Sequence, residues 1–219
     1  MGSGRESLDE IVERRVVERT RELDSLMLAL VAALERADPQ NDPDTRLHML
    51  RVAEYSKVVA RRLGLGREFM DRLERAAWVH DVGKALVPEA ILRKTGRLST
   101  EEFDRMKAHT VHGYDILRKA RSDEVSRNVA LSHHERFDGT GYPLSLRGEA
   151  IPIEARIVAL ADTLYALTTR RAYRAASPPG VAERVIREEA GRQFDPAVVE
   201  AMVLSVDALR EVRDRLHDP

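Results

Sequence analysis

The sequence predicts an all-α protein, and three of its features lead there. It is rich in Ala, Leu, Glu and Arg, with 43% hydrophobic residues but only 5% aromatic ones, a mix that enters helices at little cost. No stretch alternates apolar and polar residues as a half-buried strand would. The breaks between candidate helices fall at Gly, Pro and good capping residues.

The stretch from Glu6 to Asp38 contains neither Gly nor Pro and reads as one leading helix. Val16, Leu23, Met27, Leu30 and Leu34 fall at spacings compatible with a heptad seam, with Thr20 a polar interruption and flanks dense in Glu and Arg. Two readings stand: a dimerising or signal-transmitting helix, which is favoured, or an amphipathic helix packed on its own domain. Pro39 to Pro43 ends this helix. A second begins at Asp44 or Thr45 and stops at Gly64. A third covers Arg67 to His80. Ser99 and Glu102 form a capping-box pattern that opens a helix reaching Lys119, and Asp123 to His134 forms another. Phe137 to Pro152, with three glycines and two prolines, is loop. Pro152 then starts a long helix through Thr169. Two helices close the chain, the last with Asp195 as N-cap and Pro196 at its first position. The expected division is a leading segment, 1–40, followed by one domain, 41–219.

Composition narrows the function classes. The net charge is -1, from 36 basic and 37 acidic side chains, so no global excess attracts a nucleic-acid polymer or an anionic membrane. Any anionic ligand must meet a local cluster of positive charge. With no cysteine, disulfides, thiolate zinc sites and cysteine nucleophiles are excluded. A metal site must therefore use His, Asp and Glu. The longest apolar run, Leu26 to Leu34, is too short to span a bilayer, and no signal peptide is visible. A cytoplasmic location is expected.

Six of the seven histidines lie in the central region: His48, His80, His109, His112, His133 and His134, with His217 outside it. Imidazole and carboxylate are the natural ligands of a divalent metal when thiolate is missing. Neighbours on a helix diverge by about 100°, so the pairs His80-Asp81 and His133-His134 can each reach two metals or two sides of one. A carboxylate such as Asp81 can bridge two ions, and paired ions suit phosphodiester hydrolysis. His112, a turn from His109, is either a supporting residue or an ordinary helix histidine.

The set has a further feature, its layout. Leu47-His48-Met49, then His80-Asp81-Val82-Gly83-Lys84, then His109, then His133-His134-Glu135-Arg136-Phe137-Asp138-Gly139-Thr140-Gly141-Tyr142-Pro143, then Ala161-Asp162 resembles the HD-GYP family, a branch of the HD-domain metal-dependent phosphohydrolases. The resemblance runs from about Asp42 to Val199, and Gly191 to Pro196 is similar to the family's usual ending. It implies an HD-type helical bundle. It implies metal ligation by His48, His80, Asp81, His109, His133, His134 and Asp162, holding two or three divalent ions, iron or manganese. Asp44, four positions before His48, is either a third-metal ligand or a helix cap. Lys84 matches the substrate-phosphate lysine, and Arg171 and Arg174 match phosphate-binding positions. The Gly-rich loop, in which Gly139 and Gly141 can take positive φ, either is purely structural or presents Tyr142 or backbone amides beside the site; the resemblance implies a place at the active-site rim, with Tyr142 meeting substrate, and contacts to GGDEF-type diguanylate cyclase partners.

The implied function is hydrolysis of cyclic di-GMP to pGpG, with GMP after a second cut, in bacterial second-messenger signalling. A homodimer through the leading helix and an upstream sensory domain are the expected partners. Alternatives are a cyclic-dinucleotide sensor without turnover, or a phosphohydrolase for another nucleotide such as cyclic GMP-AMP. The chain departs from the family pattern at Tyr165, where an Asp is usual, at Arg46, and in Arg170-Arg171-Ala172-Tyr173-Arg174. Tyr165 puts in question a hydrogen bond that would support the metal ligands.

Overall fold

The computed structural model describes residues 8–35, 45–169 and 179–216. Asp44, Arg171, Arg174 and His217 lie outside the described residues. Within them the fold is all-α, with no strand and one isolated bridge between Ala190 and Phe194. The helices are α1 (Leu8–Glu35), α2 (Thr45–Arg62), α3 (Arg67–Trp78), α4 (Glu89–Leu92), α5 (Thr100–Lys107), α6 (His109–Lys119), α7 (Glu124–Ser132), α8 (Ile153–Thr168), α9 (Pro179–Glu188), α10 (Pro196–Val203) and α11 (Val206–Arg215). Two 3-10 turns, Val82–Leu86 and Gly148–Ala150, join them. No described helix is long and apolar enough to cross a membrane.

The helix ends follow local chemistry. Gly64 ends α2 with φ of +76°, a conformation open to glycine at no steric cost. The Ser99 hydroxyl accepts from the Glu102 amide while the Glu102 carboxylate accepts from the Ser99 amide, completing the expected capping box. Asp123 and Asp195 cap α7 and α10 through their carboxylates. Two expectations needed correction. The helix predicted from Ser99 to Lys119 is two helices, α5 and α6, meeting at Ala108. The closing pair is three, because α10 stops at Val203 and α11 starts from Ser205.

The core is built on α2, α3, α7, α8 and α10. Met49, Val52, Tyr55 and Val59 of α2 meet Leu73 of α3, Val129 of α7, Ile157 and Leu160 of α8 and Met202 of α10, all buried. Each such aliphatic side chain contributes roughly 1.5–3 kcal/mol by leaving water. The same helices carry His48 and Asp162, so the core that stabilises the fold also fixes these residues.

The leading helix divides along its length. Val31 is buried, Met27 packs partly against the core, and α1 touches α2, α3 and the 3-10 turn Val82–Leu86. Val12, Val16, Leu23, Leu26 and Leu30 are each at least half exposed. The open apolar seam therefore keeps Val16, Leu23 and Leu30 of the expected heptad but runs through Val12 and Leu26, while Met27 turns inward. The Leu34 side chain lies outside the described residues.

Candidate metal centre

Seven of the expected ligands converge, and they do so as two groups. Asp81, His109, His133 and His134 offer donor atoms within 4.8 Å of one another, and His48, His80 and Asp162 do the same. His48 comes from α2, Asp162 from α8 and His109 from the start of α6. His80 and Asp81 occupy the turn between α3 and the 3-10 turn Val82–Leu86, and His133 and His134 the turn after α7. The pair His80-Asp81 diverges, one residue to each group. The pair His133-His134 does not; its rings lie 4.1 Å apart and serve one group. Both pairs sit beyond a helix end, where the 100° rule no longer applies.

The hydrogen bonds of the rings define their chemistry. Nδ1 of His80 lies 2.8 Å from the Ala77 carbonyl, Nδ1 of His109 2.7 Å from that of Met106, and Nδ1 of His133 2.9 Å from that of Val129. A carbonyl only accepts, so each Nδ1 carries a proton and donates it. In the neutral ring Nε2 is then a lone pair. Nε2 of His109 and of His133 stand 3.5 Å apart, and Asp81 Oδ1 is 3.3 Å from the first and 3.5 Å from the second. Oδ1 is buried with no hydrogen-bond partner among the described residues.

Protonated imidazoles would relieve this convergence of acceptors, but burial opposes them. It lowers His109 to about 4, lowers His48 to about 4, and holds His134 well below its ordinary value. Burial alone would raise the Asp81 carboxyl; the Lys84 ammonium and then His80 hold it well below the usual carboxylate range. A buried carboxylate facing imidazole lone pairs fits a cation. Both groups have the nitrogen and oxygen donors that suit a divalent ion.

Asp81 stands between the groups. Its Oδ1 faces His109 and His133, while Oδ2 lies 3.4 Å from His80 Nε2 and 2.8 Å from Lys84 Nζ. In the second group, Asp162 Oδ1 is 3.8 Å from His48 Nε2. Tyr165 is buried with its ring edge-on to His48, centroids 4.5 Å apart, and the Arg51 guanidinium lies 5.7 Å from the Tyr165 ring centre. Where an Asp would offer a carboxylate, this chain braces His48 with an aromatic edge. His112 belongs to neither group, and its Nδ1 is buried without a hydrogen-bond partner among the described residues.

The Gly-rich loop is fixed at both ends. The Glu135 carboxylate, buried, accepts the amides of Leu144 at 2.7 Å and Leu146 at 3.1 Å. Phe137 and Asp138 donate their amides to the carbonyls of Gln193 and Arg192, so the segment Gly191 to Pro196 anchors the loop. Gly139 has φ of +84°, as expected. Gly141 does not; it is needed because a Cβ there would fall 2.3 Å from the Arg136 nitrogen. The loop lays Tyr142 almost parallel to His134, centroids 4.8 Å apart. Burial and then the Asp81 charge push the Tyr142 phenol up, keeping it protonated.

Two further residues support the site, Glu135 and Arg51, and neither stands out in the sequence. Glu135 lay inside the quoted motif, but a clamp spanning nine residues has no local signature. Arg51 follows His48 by three positions and so shares its helix face. It is buried, donating to the Thr169 hydroxyl at 3.1 Å and to the Leu216 carbonyl.

Comparison with known proteins decides the family: the sequence model of the HD domain matches residues 14–198. The chain belongs to the HD-domain family. Among curated relatives of this HD domain is a probable cyclic di-GMP phosphodiesterase of Vibrio cholerae, 35% identical over 96% of this chain and 51% of that protein. The cyclic di-GMP phosphodiesterase response regulator RpfG of Xanthomonas campestris is 36% identical over 92% of this chain and 54% of its own length. A 3'3'-cGAMP-specific phosphodiesterase 2 of Vibrio cholerae is 37% identical over 86% of this chain and 37% of its own. The chain thus spans about half the length of the first two relatives. Among solved structures, a cyclic GMP-AMP phosphodiesterase of V. cholerae superposes with a TM-score of 0.65 at 20% identity, covering 90% of this chain and 55% of that one. At that identity the likeness establishes the HD-type fold.

Proposed function

We propose that this HD domain is a metal-dependent phosphodiesterase that opens cyclic di-GMP to linear pGpG, and to GMP after a second cut. The observation that carries the reading is the placement of Asp81, whose two oxygens face two groups of buried and half-buried donors. In this reading His109, His133 and His134 with Asp81 hold one divalent ion, and His48, His80 and Asp162 hold another, iron or manganese. Asp44, either a ligand to a third ion or a helix cap, lies outside the described residues and rests on the sequence resemblance alone. Bound ions would supply an activated water and neutralise charge at phosphorus.

The chain's own groups do the rest. Lys84, now on Asp81 Oδ2, is within reach to share its ammonium with a phosphoryl oxygen. Arg171 and Arg174 are the proposed bidentate phosphate holders; they follow Thr169, which Arg51 ties to α2. Tyr142, kept protonated, can donate to the ligand.

The relatives named for cyclic di-GMP support the substrate, and the one named for 3'3'-cGAMP supports cyclic GMP-AMP as the second reading. The exposed positions Val12, Val16, Leu23, Leu26 and Leu30 alternate by three, four and seven, the a/d pattern of a coiled coil. They support a homodimer through the leading segment, 1–40, ahead of the catalytic domain, 41–219. An upstream sensory domain, a GGDEF-type partner and a cytoplasmic setting complete the reading.

The test is product chromatography on the reduced, manganese- or iron-loaded protein with cyclic di-GMP and cyclic GMP-AMP. Linear product is expected from wild type, and Asp81→Ala should lose turnover by more than about a thousandfold with its helical circular dichroism intact. Full activity in that variant would refute the assignment.

A further inference from the structure

Helix α5 carries an aromatic residue without a structural task. None of its residues is buried. Met106 packs partly against the small apolar cluster of Val87, Ile91 and Leu92, but Phe103 joins neither that cluster nor the main core and is 47% exposed. With Met106 it is one of two large apolar side chains on a helix, Thr100–Lys107, that is otherwise polar or charged. Leaving such a ring in water forgoes its burial energy.

Its position gives it a use. The Phe103 ring centre lies 6.3 Å from that of Tyr142, and the two rings stand at 79°. Tyr142 in turn lies 4.8 Å from His134 and 6.5 Å from His109. Phe103 is therefore one ring outward from the donor groups, forming a corner with Tyr142 at the rim. Lys107 Nζ, held by Asp104 at 2.7 Å, stands 5.3 Å from the Phe103 ring centre. An aromatic corner with a cation over one face of its outer ring, next to a centre suited to phosphate, matches a nucleotide: base on the other face of the ring, phosphate toward the donors.

Resting on the phosphodiester reading above, we infer that Phe103 is a substrate-binding residue, the platform on which a purine base of the cyclic dinucleotide stacks while its phosphate occupies the centre. The base lies on the Phe103 face opposite Lys107, with its edge toward Tyr142. Stacking of this kind is sequence-tolerant, since every base has a π-face, so Phe103 contributes affinity for either purine.

The experiment compares wild type with Phe103→Leu, which keeps apolar bulk without a π-face, and Phe103→Tyr, which restores the ring. Two readouts are taken on the manganese-loaded protein: steady-state kinetics with cyclic di-GMP, and fluorescence of a 2-aminopurine-containing cyclic dinucleotide, which is quenched when its base stacks. Phe103→Leu should raise KM roughly tenfold with kcat within about twofold, and lose most of the quench. Phe103→Tyr should recover both. Unchanged KM and quench in Phe103→Leu, with wild type active, would overturn the platform and leave the phosphodiesterase reading standing. A fall in kcat alone would equally overturn it, because a stacking platform acts on binding. A wild type that neither binds nor cuts the dinucleotide would overturn both.

Discussion

The two donor groups differ in how firmly the protein holds them. In the group of Asp81, His109, His133 and His134, two imidazoles are locked by backbone carbonyls, the carboxylate is almost enclosed, and His134 is stacked under Tyr142. In the group of His48, His80 and Asp162, only His80 has such a lock. His48 Nδ1 has no hydrogen-bond partner among the described residues, its ring is braced by the Tyr165 edge, and 28% of the Asp162 side chain remains exposed. Outer hydrogen bonds fix ligand tautomer and direction and raise metal affinity. The first group is pre-organised and the second is adaptable, so two ions held as proposed should bind with unequal strength.

The largest effect that could break this comparison is loss of a ligand. His133→Ala should lower metal affinity of the first group by more than about a hundredfold and abolish turnover, while His48→Ala should leave one tightly held ion per chain. Metal content after dialysis measures both, and equal loss from the two variants would remove the distinction.

A smaller effect should come through the backbone. A Cβ on Gly83 would lie 1.9 Å from the His109 carbonyl oxygen and 2.4 Å from the Gly113 nitrogen, forcing the 3-10 turn away from α6. Gly83→Ala should destabilise the fold by about 1–3 kcal/mol, read by urea denaturation, and should weaken the first ion more than the second. Wild-type stability in this variant would mean the close approach is dispensable.

The smallest effect concerns the loop over the first group. The Thr140 hydroxyl and amide hold the Asp138 carboxyl down to about 2. A carboxyl lowered in the folded state contributes stability above its unfolded pKa, and that contribution is lost as pH falls through the folded value. Asp138→Asn should therefore be slightly less stable at neutral pH and show a shallower loss between about pH 4 and pH 2, followed by thermal melts. Identical acid limbs for variant and wild type would show that the loop contact does not couple to folding.

Sequence made the histidines and their motif visible because spacing and residue type are local properties. The capping box at Ser99 and the Asp195-Pro196 start were legible for the same reason. The division of seven donors into two groups was not, since it depends on α2 and α8 crossing near the turn that carries His80 and Asp81. Ala108 breaks a helix without Gly or Pro, leaving no compositional mark. Met27 and Leu26 are neighbours in one apolar run, and only packing tells which faces the core. Tyr165 was visible as a departure, but its edge contact with His48 required the tertiary fold.

The most direct measurement is anomalous X-ray diffraction from crystals of the reduced protein loaded with manganese or iron. Two peaks are predicted on either side of Asp81, one among His109, His133 and His134 and the other among His48, His80 and Asp162, with the first at higher occupancy. No peak at either place would contradict the account.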